Sequence, residues 1–445
     1  MLEIRLFVLH KDILKWINHN KVHTIPKNSA LVKGGIFLFP KHWKPYYLCA
    51  QFFRKSTMPL SFDNTEIAFK YRNDKELKRA NFLFSSMSSP LISKTGMKLT
   101  QWAMNINLPI KGIVKSTIFA QFCGGETIEE AAVTAATLGK YGVDVALDYS
   151  VEGKEGEAEF DHALPEFIKA IEYAATQNNI PFIPIKVTGF ARFSLLEKIH
   201  AGQSLSTTEH AEWQRVEQRI DKICSTAARC KSMILIDAEE SWVQQPVDDL
   251  ADAMMAKYNK DTVVVFNTFQ MYRHDRLAYL KKSHEESRKY NYVLGAKLVR
   301  GAYMEKERKR AMEMGYESPI QKDKAHSDKD YNLAVAYCLD NLQDIAVFIG
   351  THNEDSCLMA NELMMKKGLS ADNKHVFFSQ LYGMSDNITF NLADAGYHVS
   401  KYLPYGPVKD VVPYLMRRAQ ENTSVAGQTS RELGLIKKEL KRRGI

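Results

Sequence analysis

Eight β-rich runs along the chain each close near a polar side chain: Asp148, Lys186, Asp237, Asn267, Lys297 with Arg300, His352, Gln380 and Tyr402. Any one of these alone is ordinary, since a single acid or lysine at a strand end usually caps a loop or pairs on the surface. Eight in register argue for a functional mouth, because inward charges on several strands are costly without partners or a polar ligand. Just after the last run comes Tyr414-Leu415-Met416-Arg417-Arg418. On a helix, the tyrosine and the two arginines lie within about one turn. An arginine fork binds a carboxylate through two parallel hydrogen bonds. By itself the pair reads as a solvated basic helix end.

The runs that must carry these groups are GVDVALDYS (142–150), FIPIKVTGF (182–190), SMILIDAEE (232–240) and TVVVFNTFQ (262–270). VLGAKLVRGAY (293–303), DIAVFIGTH (344–352), HVFFSQLYG (375–383) and HVSKYLPYG (398–406) follow, the last being the least apolar. Helical stretches alternate with them near 160–178, 209–230, 246–258, 273–289, 305–315, 328–342, 354–368, 385–395 and 408–422. Such alternation predicts parallel βαβ units, and eight of them predict an α/β fold, a (βα)8 barrel. The alternative is an open doubly wound sheet, but no run leads into G-x-G-x-x-G. Before the barrel, residues 66–105 read as helical with a loop near Ser88–Pro90, and Thr127 opens T-I-E-E, a capping-box pattern.

The net charge of +8 has a local origin. Residues 1–57 hold ten Lys/Arg and two Asp/Glu, and the remaining 388 hold fifty of each sign. The body is therefore neutral, which argues against nucleic acid as a partner. Six scattered cysteines with no C-x-x-C pair suggest neither a zinc site nor a dithiol motif, so no metal is expected. They fit a reducing compartment rather than a secreted protein. No run of 18 apolar residues predicts a membrane span. We divide the chain into a basic extension (1–57), a helical segment (58–126), the barrel (127–425) and a basic tail (426–445), whose end KKELKRRGI (437–445) reads as a solvated helix end. Ordinary globular composition begins at Met58, the expected native start.

The long motifs LVRGAYMEKER (298–308), GTHNEDS (350–356), FFSQLYGMSDN (377–387) and KYLPYGPVKDVVPYLMRRAQENTSV (401–425) resemble the proline dehydrogenase family. So do LIDAEES (235–241), FIPIKVTG (182–189) and FNTFQMYRHDRL (266–277). The likeness runs from about residue 60 to about residue 430 and is to the monofunctional, eukaryote-like branch.

That resemblance implies a distorted (βα)8 barrel holding FAD, which oxidises L-proline to Δ1-pyrroline-5-carboxylate and passes electrons to a membrane quinone. It implies that Arg417 and Arg418 grip the proline carboxylate with Lys186 beside them. Tyr402, Tyr414 and Leu381 would pack on the ring, with Tyr303 at the same site. Asp237 and Asp148 would be buried acids near substrate and gate, and Glu152 an acid closing the lid on the first arginine. For the flavin, the matching positions are Asn267, Lys297, Val299, Gly301, Ala302, His352, Asn353, Lys324 and Ser327. Many bacterial members have Arg where this chain has Lys297, Gln on the fourth strand where it is matched to Asn267, and often Trp where it has Met304. Peripheral contact with a bacterial inner membrane or the matrix side of the mitochondrial inner membrane is the implied location. The alternatives are hydroxyproline dehydrogenase, which the bulk of Tyr402 disfavours, a Schiff-base lyase using Lys186 or Lys297, and a flavin-binding scaffold without turnover.

Overall fold

The computed structural model describes residues 30–32, 36–38, 60–87, 111–150, 156–424 and 428–445. The chain divides into two units, Met1–Pro59 and Leu60–Ile445. In the first, Ala30–Val32 pairs antiparallel with Ile36–Leu38. The rest of the 1–57 extension, the expected start at Met58 and the segment 88–110 lie outside the described residues.

In the second unit eight parallel strands close into a barrel: β1 (Asp144–Tyr149), β2 (Phe182–Ile185), β3 (Met233–Ile236), β4 (Val265–Gln270), β5 (Leu294–Val299), β6 (Ile345–Gly350), β7 (Val376–Leu381) and β8 (Val399–Tyr405). The ring closes where β8 pairs with both β1 and β7. The expected barrel is therefore present and the open sheet is not. HVSKYLPYG, the least apolar run, forms β8, in which every residue is buried.

Side chains on each strand alternate between the lumen and the helix layer. The lumen floor is an aromatic plug of Phe182, Phe266, Phe348 and Phe377, packed edge to face with Phe182–Phe348 centroids 5.0 Å apart. The opposite faces of the strands, with residues such as Ile183, Ile234, Val265 and Leu298, meet the surrounding helices in the main core. The lumen is thus filled by aromatic rings at one end, and the charged cluster of Asp237 and Lys297 stands toward the strand C-termini.

The barrel helices are α3 (Ile128–Gly139), α4 (Glu157–Ala174), α5 (Phe193–His200), α6 (Thr207–Cys230), α7 (Gln244–Tyr258), α8 (Arg276–Lys289), α9 (Met304–Met314), α10 (Lys324–Asp340), α11 (Glu354–Lys366), α12 (Asp386–Asp394) and α13 (Val408–Ser424). The helix α5 was not expected from periodicity. At the start of α3, Thr127 accepts from the Glu130 amide at 3.3 Å, and Glu130 reaches back to the amide of Glu126, one residue before the cap.

Outside the ring, α1 (Thr65–Phe69), α2 (Asp74–Met87) and α14 (Gln428–Arg443) join α13 in a second core containing Phe84, Phe122, Leu415, Leu435 and Ile436. The end 437–445 keeps Lys437, Lys438, Lys441 and Arg442 exposed, as expected, while α14 as a whole docks on the second core. Its apolar stripe is buried, Glu439 is fully enclosed between Arg442 and Arg443, and Arg443 donates to the carbonyls of Phe69 and Arg72.

Candidate active site

Strand parity decides which expected residues reach the mouth. Asp148 lies two positions beyond the inward Ala146, and Asp237 two beyond the inward Leu235. Lys186 and Lys297 reach the lumen from the ends of β2 and β5, and Tyr402 from β8. These groups meet on one carboxylate. Asp237 pairs with Lys297, accepts a hydrogen bond from the Tyr402 hydroxyl at 2.9 Å, and has Lys186 at 3.8 Å. Lys297 lies over the rings of Tyr402 and Phe348 at 5.4 and 6.0 Å, directly above the plug. Burial first, then the carboxylates of Asp148 and Asp237, raises the Tyr402 phenol well above its ordinary pKa. It therefore stays a neutral donor to Asp237.

Parity also corrects two expectations. Asn267 does not face the mouth. It sits among the outward positions of β4 with Val265 and Phe269, its amide donates to Asp248 on α7 at 3.0 Å, and its oxygen accepts from the Thr268 amide. Asp248 is clamped by the Arg276 fork at 2.8 and 2.9 Å, so Asn267 belongs to a buried structural network. Gln380 is likewise turned outward, accepting from Thr389 of α12. The inward residues at those two strand ends are Gln270 and Leu381. Counting by twos from Phe266 would have found Gln270.

Beside the cluster opens a cavity of about 290 Å³. Lys186 and Arg417 both line it, with Asp148, Tyr303, Glu239 and Lys306. Arg417 comes from α13, which follows β8 and packs through Tyr414 and Leu415 against Phe84 and Phe122. Its neighbour Arg418 is buried, stacks on Tyr414 at 5.1 Å, and lies near enough to His352 to disfavour its protonation. The adjacent arginines therefore serve different parts of the mouth, as the roughly 100° step of a helix requires. Leu381 packs against both the plug and the α13 cluster, joining the two halves of the site. Burial and then the Glu239 carboxylate raise the Tyr303 phenol. Glu152 lies outside the described residues.

Glu239 was not singled out from the sequence. It follows β3 and accepts from both the amide and the hydroxyl of Thr188, at 3.0 and 2.6 Å, thereby holding the loop after Lys186. Burial pushes its carboxyl up to about 7 in spite of those two donors. The neighbouring Glu240 pairs with Lys306.

The remaining positions ring the other side of the mouth. Val299 shares the inward parity of Lys297. Gly301 has φ +134°, and a β-carbon there would lie 2.4 Å from the Tyr272 ring, so only glycine fits. Ala302 beside it is exposed. His352 accepts from the Leu381 amide through Nε2 at 3.4 Å, which leaves the proton on Nδ1 to donate to Ser385 Oγ at 2.9 Å. Burial, followed by the nearby cations Lys401, Arg418 and Arg300, pushes this imidazole down to about 3, so it is neutral. Asn353 caps α11, its oxygen accepting from the Ser356 amide at 2.9 Å. Lys324 and Ser327 stand on the first turn of α10. Lys324 pairs with Asp328, which also takes Arg300, and Ser327 donates to the Asp323 carbonyl. Among the described residues, no group of three or more His, Cys, Asp or Glu could hold a metal, and no helix is long and apolar enough to cross a membrane.

Residues 131–431 match the family model described as proline dehydrogenase. The chain is 33% identical over 384 residues to proline dehydrogenase 1, mitochondrial, of Dictyostelium discoideum, covering 76% of this chain and 67% of that relative. It is 30% identical over 431 residues to hydroxyproline dehydrogenase of Xenopus laevis, covering 86% and 90%. Among solved structures it resembles proline utilization A from Bdellovibrio bacteriovorus inactivated by N-propargylglycine. The TM-score is 0.65 at 19% identity, over 86% of this chain and 41% of that one. This last likeness speaks for the fold alone.

Proposed function

The chain belongs to the proline dehydrogenase family of oxidoreductases, in its monofunctional, eukaryote-like branch, and from that premise we propose that it oxidises L-proline with FAD as cofactor. The observation carrying this reading is the meeting of Lys186 and Arg417 on one cavity, next to the Asp237–Lys297–Tyr402 cluster.

The mouth suits a flavin in its chemistry. A floor of four phenylalanines offers an apolar base, and polar groups from Lys297, Gln270 and neutral His352 stand around it. These three would hold the cofactor, with Val299, Gly301 and Ala302 along the end of β5 and Asn353, Lys324 and Ser327 toward the rim. When bound, FAD would supply the hydride acceptor.

The protein's own groups do the rest. Arg417 and Lys186 bind the substrate carboxylate, with Arg418 completing the cationic wall. Tyr402, Tyr414 and Leu381 restrict the pyrrolidine ring to one pose, which lowers the entropic part of the barrier. The substrate amine must lose its proton before C5 can give up hydride. Asp237 opposes that loss, but Lys297 and Lys186 already neutralise it, so the cations prevail and the neutral amine is favoured. The same ion pairing disfavours the Schiff-base alternative, because both lysines serve as charge anchors.

A quinone is the proposed electron acceptor, with peripheral contact at the inner membrane. The mitochondrial relative supports a mitochondrial location. The deciding experiment is the visible spectrum of the purified protein before and after anaerobic L-proline. Flavin bands that bleach with proline and recover with a quinone are expected. Absence of flavin after added FAD would sink the reading.

The likeness to hydroxyproline dehydrogenase supports a second substrate reading. Tyr402 speaks against it, since its phenol is pinned to Asp237 where a ring 4-hydroxyl would need room. A kcat/KM for proline well above that for 4-hydroxyproline is the expected outcome.

A further inference from the structure

We propose that Glu432, on the C-terminal helix outside the barrel, is a positioning residue that fixes the orientation of His352 and reinforces its tautomer through Ser385. This rests on the reading of His352 as a flavin contact.

The path is short and buried. Glu432 of α14 accepts from the Ser385 amide at 2.9 Å. Ser385 Oγ accepts from His352 Nδ1 at 2.9 Å, and His352 Nε2 accepts from the Leu381 amide at 3.4 Å. Ser385 is 3% exposed and Glu432 7%. Ser385 has φ +52°, a left-handed conformation that a serine adopts only at a cost. Its amide is therefore held by something, and the bond to Glu432 holds it. Releasing that amide would let the residue relax and carry its hydroxyl away from the imidazole.

The loop from Leu381 to Ser385 is clamped from two further directions. Gln121 donates to the Gly383 carbonyl at 2.7 Å, and buried Lys401 donates to the carbonyls of Leu381 and Met384. Those bonds fix the start and middle of the loop and the carbonyl side of the Met384–Ser385 peptide. Among the described residues, Glu432 alone accepts from the amide side of that peptide, where the loop turns into α12. The imidazole is neutral, so nothing in its charge chooses a tautomer. The choice comes from an acceptor at Nδ1 and a donor at Nε2, which is what the loop supplies. A residue on an outer helix thus steadies, through Ser385 Oγ, the tautomer that the Leu381 amide selects at Nε2.

The test uses the full chain with and without FAD. Long-range ¹H–¹⁵N spectra of ¹⁵N-histidine protein should show His352 as the Nδ1–H tautomer. Glu432→Ala should give a mixture of tautomers and weaken FAD binding by about tenfold, the size of one lost hydrogen bond. Glu432→Gln keeps an acceptor for the Ser385 amide and should restore both. Ser385→Gly suits φ +52° and so should fold at least as well as the parent, yet it lacks the hydroxyl and should shift the tautomer as Glu432→Ala does. An unchanged tautomer in folded Ser385→Gly and Glu432→Ala would overturn the proposal. A shifted tautomer supports it even if His352→Ala leaves FAD affinity unchanged, and that result would overturn only the reading of His352 as a flavin contact.

Discussion

Asp237 at the end of β3 reaches past β4 to pair with Lys297 on β5, so one carboxylate ties together two strands that do not touch. The pair is buried, and Tyr402 and Lys186 complete its shell. A buried pair of this kind contributes little net stability as a pair, but removing one partner strands the other.

Lys297→Met should therefore destabilise the fold by about 3–5 kcal/mol, at the lower end if Lys186 moves in to compensate. The double variant Asp237→Leu/Lys297→Met should recover most of that loss while remaining inactive. Urea unfolding of the two variants checks this, and equal losses in both would show that the pair is not the cause.

Arg417→Met should raise the KM for proline by about 10- to 100-fold, the range expected for a lost charge-assisted carboxylate contact. Flavin content should be unchanged, because Arg417 lines the cavity with Lys186 and Tyr303. Steady-state kinetics with flavin quantified in each preparation makes the measurement.

Asn267 and Gln270 should separate structure from function on one strand. Asn267→Ala breaks the bond to Asp248 inside the α7–α8 network, and should cost about 1–3 kcal/mol with the flavin spectrum unaltered. Gln270→Ala should alter the flavin spectrum or affinity. The reverse pattern would place Asn267 at the cofactor.

Glu239 predicts a pH dependence. Its folded pKa of about 7 lies above the ordinary 4.5, so the folded state holds a proton that the unfolded state has released. Its contribution to stability is therefore fully present below pH 4.5 and falls as pH rises toward 7, by about 3 kcal/mol in all. Denaturant unfolding across that range should fall less steeply for Glu239→Gln than for the parent. Parallel curves would show that Glu239 ionises normally.

The sequence by itself determined the barrel and much of its rim. Eight β-rich runs alternating with helical ones leave little choice of topology, because parallel strands need crossovers and crossovers need helices. Local signals sufficed for Thr127 as a cap, and the ends of the β-rich runs brought out Lys186, Asp237 and Lys297, whereas Arg417 stood out only through the family resemblance. Three things needed the tertiary structure. The direction of Asn267 and Gln270 depends on parity, which is set by where the plug phenylalanines point and not by which residue looks more polar. The burial of the tail depends on an apolar stripe finding α1 and α2, some 370 residues earlier in the chain, as Arg443 does on meeting Phe69 and Arg72. The path from Glu432 to His352 joins residues that no local pattern relates. Strand period and helix caps are short-range physics written in neighbouring residues, whereas a shared carboxylate or a borrowed amide exists only once distant segments have packed.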